Sequence, residues 1–273
     1  MLAIKNISRY KAASIHLAIS AGIAALVLAV MLALWYPPPL FTAMGGVELI
    51  VLVVGIDVAI GPLITLIVFD TRKKELLFDL SVVAALQLTA LSYGSYAMYS
   101  GRPVFTVFTG QQFAVVAAAE IDPDDLAKAQ AGEFRHLSLT GPHLVAVEPP
   151  TDPDELSNIA FGALAGLGIQ HLPKYYVPYA KKRAQALAAA RPLADLDIGP
   201  EDKLRLERYL AASGRNAAAL RCLPVKTKRA PLTAMIDATS GDLLDLLGIK
   251  PDLAAPAPND AGHPKVPRPV QTQ

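Results

Sequence analysis

Residues 48–69 read ELIVLVVGIDVAIGPLITLIVF, a run of 22 residues with only two charged side chains. About 20 consecutive, mostly apolar residues suffice for a helix to cross the hydrocarbon core of a bilayer. Two further apolar runs flank this one, at residues 12–35 and 80–99. We therefore expect three transmembrane helices, at about residues 12–35, 47–69 and 80–99, which make residues 1–100 a membrane domain.

Charged side chains are unevenly distributed along the chain. Residues 1–100 carry 11 of them, whereas residues 101–273 carry 38, and the formal net charge of the whole chain is +1. The second part therefore has the composition of an ordinary globular domain. A near-neutral chain has no strong field that attracts nucleic acid, so we expect no nucleic-acid partner. The single cysteine, Cys222, excludes an intramolecular disulfide and a cysteine-based metal cluster.

Lysine and arginine in the short loops predict the orientation, because cytoplasmic loops are enriched in both. Three basic residues precede the first apolar run, none lies in residues 37–46, and three more follow the second run at residues 72–74. This alternation predicts a cytoplasmic N-terminus and a periplasmic C-terminal domain in a bacterial inner membrane, with membrane lipid as one partner. The first run ends in bulky Trp35 and Tyr36 rather than in a small-residue cleavage site, so we expect a retained anchor.

A notch of small and polar residues interrupts the second apolar run. Asp57 lies near its middle, and Gly55, Gly61 and Pro62 surround it. A carboxyl at that depth costs about 2.5–3.5 kcal/mol on the insertion scale, which the apolar neighbours offset. Proline removes a helix hydrogen bond, and glycines allow a second helix to approach closely. These four residues are our candidate helix contact.

Three interpretations of this notch remain open. In the first, a protonated Asp57 is hydrogen-bonded to the third helix, where Thr89 and Ser92 are expected at a similar depth. In the second, the notch contacts a helix of another membrane protein, and in the third it is an ion site. His16 is expected to lie too near the cytoplasmic end of the first helix to reach Asp57.

Strand-like and helix-like segments follow the third apolar run. β-Branched and aromatic residues flank a glycine-containing turn at residues 109–112, and a similar pattern surrounds residues 237–242, so two hairpins are predicted. Because strands and helices do not alternate regularly, residues 101–250 predict an α+β domain. Residues 251–273 contain six prolines and predict a disordered tail. The predicted fold is three transmembrane α-helices, an α+β periplasmic domain and a disordered proline-rich C-terminal tail.

Motifs that carry enzyme chemistry are missing from the sequence. There is no phosphate-binding glycine loop, no zinc-protease helix and no nucleophile elbow. The histidines of the second part also lack the spacing of metal ligands. We therefore expect a protein that is not an enzyme, with no catalytic residues, no cofactor, no metal and no small-molecule substrate.

The candidate partner-binding patch of the predicted periplasmic domain consists of Lys174, Tyr175, Tyr176 and Tyr179. Tyrosine is enriched in the cores of protein interfaces, so one interpretation is a surface that binds a protein. In a second interpretation the tyrosines pack a loop onto the domain and the basic residues are solvated. Stacking on single-stranded nucleic acid is a third, which a periplasmic location disfavours.

Four groups of residues occur in a specific order along the chain. They are LWYPPP at 34–39, VGID at 54–57 with GPLITL at 61–66, GRPVF at 101–105, and LPKYYVPY at 172–179. In this order and spacing they resemble the type IV pilin accessory proteins of the TfpX/TfpZ group, over residues of about 10–250. The resemblance implies a role in pilin levels or pilus assembly and a type IV pilin as partner. It implies no enzymatic activity and no catalytic residues.

Three classes of function follow. We favour an inner-membrane, chaperone-like accessory factor that supports type IV pilin stability or pilus assembly by direct contact with pilin. A pilin subunit waits in the same membrane with one helix across it and a globular head outside, so both parts are within reach. The alternatives are a membrane-anchored periplasmic sensor, whose predicted cytoplasmic part would be small, and a pilin-modifying enzyme, whose lipid-phosphate sites are not evident.

Overall fold

The computed structural model of the chain describes residues 7–250. Within them, three helices are long and apolar enough to cross a membrane, which confirms the three predicted helices and indicates a multi-pass membrane protein. The helices of this part are α1 (Arg9–Trp35), the short α2 (Leu40–Ala43), α3 (Gly46–Val68) and α4 (Leu76–Gly101). The predicted disordered tail, residues 251–273, lies outside the described residues.

α1 and α4 begin before their apolar runs do. α1 starts at Arg9 because the Ser8 side chain caps it by accepting a hydrogen bond from the N–H of Lys11 at 3.3 Å. α4 starts at Leu76. α3 packs along both of these helices, whereas α1 and α4 come together near their C-terminal ends, where the ring centroids of Trp35 and Tyr99 lie 5.6 Å apart. The three long helices therefore form a row with α3 in the middle and a gap between the outer two.

A curled, half-barrel sheet dominates residues 103–250, which we call the outer domain. Its strands are β1 (Pro103–Phe108), β2 (Phe113–Ala117), β3 (His143–Val147), β4 (Tyr176–Pro178), β5 (Arg191–Pro192), β6 (Leu220–Lys226), β7 (Leu232–Asp237) and β8 (Leu243–Leu247). Their order is β4-β3-β1-β2-β6-β7-β8, with β5 beside β6. β1 is parallel to β3 and β2 is parallel to β6, while the other pairs are antiparallel.

Helices connect these strands: α5 (Pro123–Ala127), α6 (Pro153–Leu164), α7 (Arg183–Ala189) and α8 (Pro200–Ser213). The mixture confirms the predicted α+β class. Both predicted hairpins are also present: Phe108 pairs with Phe113 across the first turn, and Ile236 pairs with Leu243 across the second.

One hydrophobic core joins the membrane helices to the sheet. Tyr36, Leu40 and Met44, from the loop between α1 and α3, are buried in the same cluster as Phe113 of β2 and Leu232 of β7. Backbone contacts fix this loop as well, since the N–H of residue 229 donates to the carbonyl of residue 43 at 2.9 Å. We call residues 36–45 the junction loop. It holds the outer domain and the helices in one packed unit.

Candidate functional site

The backbone of α3 changes its hydrogen-bond pattern around Asp57. Residues Gly55–Ile60 form a π-helical segment, which ends with the N–H of Gly61 donating to the carbonyl five residues earlier. By the same pattern, the carbonyl of Asp57 would accept from Pro62, but proline has no N–H. Gln87 of α4 supplies the missing donor: its Nε2 donates to the Asp57 carbonyl at 3.2 Å. α4 is therefore tied to α3 through the backbone of Asp57.

The carboxyl group of Asp57 borders the gap between α1 and α4. Asp57 is only 6% exposed, and within residues 7–250 its Oδ1 has no hydrogen-bond partner. It lines a cavity of about 210 Å³. The other lining residues are His16, Ile19, Ser20, Ile23, Ala84, Gln87, Leu88 and Leu91. An unpaired buried carboxyl oxygen is unfavourable, so an additional hydrogen-bond donor would be stabilised at this position.

A second cavity, of about 360 Å³, adjoins the first and shares His16, Ile19, Ala84 and Gln87 with it. Here a hydrogen bond of 2.6 Å joins His16 Nδ1 of α1 to Thr65 Oγ1 of α3. We call the two cavities together the cleft. It lies between α1 and α4, and α3 forms its floor. The walls of the cleft are mainly apolar. Polar residues from all three helices line its bottom: His16, Ser20, Asp57, Thr65 and Gln87.

The structure corrects one expectation about the neighbours of Asp57. Thr89 and Ser92 are exposed, and the Thr89 hydroxyl donates within its own helix at 2.8 Å. Gln87 and Thr89 lie about 200° apart around the helix, so they cannot both face α3. His16 lines the same cavity as Asp57, but its Nδ1 is hydrogen-bonded to Thr65, eight residues further along α3, so the expectation that it does not pair with Asp57 is not contradicted. α1 begins before its apolar run, which carries His16 about 10 Å into the helix.

The glycines and the proline of the notch have separate roles. A Cβ at Gly61 would lie 2.0 Å from Gln87 Nε2, so this glycine allows α4 to approach α3. Pro62 is buried too. At Gly55 an added Cβ would meet nothing within 4 Å. Gly61 and Pro62 are thus buried within the bundle and Asp57 lines the smaller cavity, while a contact of these residues with another protein's helix stays a prediction.

The three tyrosines of the predicted patch lie inside the outer domain. Tyr175, Tyr176 and Tyr179 are 8%, 1% and 4% exposed. The hydroxyl of Tyr179 donates to the carbonyl of Gly241 at 2.7 Å. Burial raises the pKa of Tyr179 to about 12 and raises the pKa of Tyr176 further. The tyrosines therefore pack into the domain, as the second interpretation expects, and do not form an exposed surface.

The partners of this segment explain the burial. The hydroxyl of Tyr176 donates to the carbonyl of Gln170, and the hydroxyl of Tyr175 donates to the Glu155 carboxylate. Lys174 Nζ lies 2.7 Å from Glu155 Oε1, so Lys174 is paired with Glu155 rather than simply solvated. An amphipathic ring with a satisfied hydroxyl packs well in a core, so the aromatic spacing reflects packing.

A polar pocket of about 190 Å³ opens on the outer domain beside β2 and β6. Its polar lining includes Glu120, Gln170, His171, Lys226 and Lys228. His171 Nδ1 is buried and, within the described part of the chain, has no hydrogen-bond partner. Burial lowers the pKa of His171 below its ordinary value of 6.5. The sequence carried no signal for this pocket, because its residues come from three distant segments.

α6 carries an exposed apolar surface that the sequence analysis did not identify. No residue of α6 is buried. Phe161 and Leu164 are 69% and 85% exposed, and Leu167, just beyond the helix, is 59% exposed. Apolar clusters of this kind on a soluble surface mark sites of contact with proteins or membranes.

Comparisons with known proteins give consistent findings. Residues 5–45, which include α1 and the whole junction loop, match a family model described as fimbrial assembly protein FimB. A fimbrial assembly protein of serogroup I from Dichelobacter nodosus is 32% identical over 223 residues, which are 80% of this chain and 86% of the relative.

Two further relatives from Dichelobacter nodosus carry similar names. The fimbrial assembly protein of serogroup E1 is 34% identical over 186 residues, covering 67% of this chain and 72% of the relative. The fimbrial assembly protein of serogroups C1 and C2 is 37% identical over 121 residues, covering 44% of this chain and 92% of the relative. No solved structure matches the chain.

Proposed function

Since the chain belongs to the FimB family of fimbrial assembly proteins, we propose that it is a chaperone-like accessory factor of the bacterial inner membrane. In this proposal it supports type IV pilin stability or pilus assembly by direct contact with pilin, as members of the TfpX/TfpZ group are expected to do. The observation that carries the proposal is the similarity to a fimbrial assembly protein over 223 residues, from the helices into the outer domain.

The architecture supports contact with a membrane-held subunit. α1, α3 and α4 present side chains to the bilayer, and the junction loop fixes the outer domain on them through a shared core. A pilin with one helix in the membrane and a head outside would then meet surfaces of both kinds at a constant spacing. The proposal assigns no catalytic residues, cofactor or small-molecule substrate to the protein.

A deletion strain tests this function. We expect fewer surface pili and less pilin, with pilin transcription unchanged, and recovery of pilin with tagged protein purified from membranes. Unchanged pilus number and pilin abundance would contradict the proposal and favour the periplasmic sensor. A change in the mass of the pilin chain would favour the modifying enzyme instead.

The proposed orientation places the N-terminus in the cytoplasm and residues 101–250 in the periplasm. The exposed basic residues at 72–74 support it, because they lie at the end of the bundle opposite the outer domain. Alkaline phosphatase fused after Gly101 should be active, and the same enzyme fused after Lys74 should be inactive. The reverse result would overturn the orientation.

A further inference from the structure

The cleft has the form of an open slot in the plane of the membrane. α3 packs on both of its neighbours, but away from the Trp35–Tyr99 contact α1 and α4 stand apart, so the space between them faces the surrounding bilayer. Ile23 on the α1 wall is 38% exposed and Leu88 on the α4 wall is 62% exposed. These walls suit another apolar surface of similar length.

The depth of the cleft does not suit a purely apolar occupant. Asp57 is more than nine-tenths buried, and its Oδ1 has no partner among residues 7–250. Ser20 is 5% exposed and lines the same cavity. A lipid acyl chain placed there would leave the Asp57 oxygen unpaired, since it carries no hydrogen-bond donor.

We propose that the cleft binds a single transmembrane helix that offers a hydroxyl or amide donor to Asp57 Oδ1. A helix is the only single segment that crosses hydrocarbon with its own backbone hydrogen bonds satisfied. It can fill the apolar walls with side chains and place one donor at the depth of Asp57. This inference rests on the proposed function in taking that helix to be the membrane helix of the fimbrial subunit.

Asp57 therefore serves recognition rather than the internal stability of the bundle. α3 and α4 are held together at this point by Gln87 on the Asp57 backbone, and α1 and α3 by His16 on Thr65. Neither bond uses the Asp57 carboxyl. Replacing the carboxyl by an apolar side chain should leave protein abundance normal and weaken capture of the partner helix.

Photo-crosslinking in cells tests the position of the partner. A photoreactive residue at Ile23 or at Leu88 should capture the fimbrial subunit, identified by immunoblot and mass. Leu86 gives a matched control, since it lies on the same helix about 200° from Leu88 and is 65% exposed. Equal capture from Leu86 and Leu88, or capture of a second copy of this chain in place of the subunit, would overturn the inference.

Two substitutions test the chemistry at Asp57. With the crosslinker at Leu88, Asp57→Asn keeps an acceptor oxygen and should retain capture, whereas Asp57→Leu should reduce it by roughly three- to tenfold, the range of one interhelical hydrogen bond. Equal capture by both variants at equal abundance would overturn the role of the carboxyl. If Asp57→Leu does not accumulate, the recognition role is wrong and Asp57 is structural.

These experiments distinguish an error in the proposed binding of a helix by the cleft from an error in the proposed function. If none of the crosslinkers captures the subunit while tagged protein still recovers it, the proposal that the cleft binds the subunit's helix is wrong. The proposed assembly function is then unaffected. If the deletion strain has normal pili and normal subunit levels, the function itself is wrong.

Discussion

Tyr36 lies where α1, α4 and the outer domain meet. Its side chain is fully buried, and its hydroxyl donates to the carbonyl of Met98 in the last turns of α4 at 2.8 Å. Burial raises the pKa of Tyr36 to about 12, so the hydroxyl remains a donor at neutral pH. Its ring meets Phe41 edge-on, with centroids 6.4 Å apart. One residue thus links the start of the junction loop to α4.

Tyr36→Phe should lower the free energy of unfolding by about 1–2 kcal/mol, because it leaves a buried carbonyl without its donor. The thermal midpoint of detergent-solubilised protein measures the change. Tyr93→Phe is the matched control, since Tyr93 lies on α4 and is 70% exposed. Equal midpoints for the two variants would show that the Tyr36 hydroxyl contributes nothing to stability.

His171 should make the stability of the outer domain sensitive to acid. Its pKa is lowered in the folded protein, first by burial and also by Lys226 and Lys228, although Glu120 opposes them. The unfolded chain therefore binds a proton at His171 more readily than the folded chain does. The free energy of unfolding consequently falls as the pH drops through about 6.5.

Replacing His171 by Gln should remove part of this loss of stability. Denaturant unfolding measured from about pH 8.5 to about pH 5 should show the wild type losing stability relative to His171→Gln as the pH falls. Above about pH 7.5 their difference should be constant, which is the internal control. Parallel curves over the whole range would contradict a role for this histidine.

At the level of elements, the π-helical segment of α3 depends on α4. Pro62 cannot donate to the Asp57 carbonyl, and Gln87 does so instead. Gln87→Leu should therefore lower the free energy of unfolding by about 1–2 kcal/mol. In a Pro62→Ala background the restored N–H can serve the same carbonyl, so Gln87→Leu should cost much less there.

The thermal midpoints of the four proteins in this double-mutant cycle measure the coupling between Pro62 and Gln87. If Gln87→Leu lowers the free energy of unfolding equally in both backgrounds, the Gln87 side chain and the N–H of residue 62 do not serve the same Asp57 carbonyl.

Elements with local signals could be predicted from the sequence. The apolar runs gave the three long helices, and the glycine-containing turn after Phe108 gave the first hairpin, because period and turn chemistry are properties of neighbouring residues. The partner of Asp57 could not be predicted in this way. To predict that Gln87 rather than Thr89 contacts α3, one must know how α4 is rotated about its own axis. That rotation is determined by the packing of the helices.

The burial of the tyrosines could not be predicted from the local sequence either. The sequence around Tyr176 would be the same whether its side chain faced solvent or the core. The carbonyl of Gln170, which accepts from its hydroxyl, belongs to a neighbouring segment whose position the local sequence does not give. The junction loop, which has no basic residue and no strand or helix signal, becomes part of the core because side chains of the sheet pack against it. Of the candidate site, the sequence thus indicated Asp57 but neither the cleft nor its other residues.

For the whole molecule, the shared core fixes where the outer domain sits relative to the cleft. Tyr36, Leu40 and Met44 bury their side chains against the sheet. Each buried apolar side chain of this size contributes about 1.5–3 kcal/mol. The helices and the outer domain should therefore unfold as one unit.

Leu40→Ala tests this coupling. Leu40 is 3% exposed within the shared core, and truncating a buried leucine costs about 2–5 kcal/mol. We expect faster protease cleavage of the outer domain in the full-length protein, although the substitution lies in the loop between α1 and α3. Leu34→Ala is the matched control, since Leu34 is 43% exposed on the last turn of α1. If Leu40→Ala leaves cleavage as slow as Leu34→Ala does, the two parts fold independently, and a partner helix in the cleft would have no fixed geometry to the outer domain.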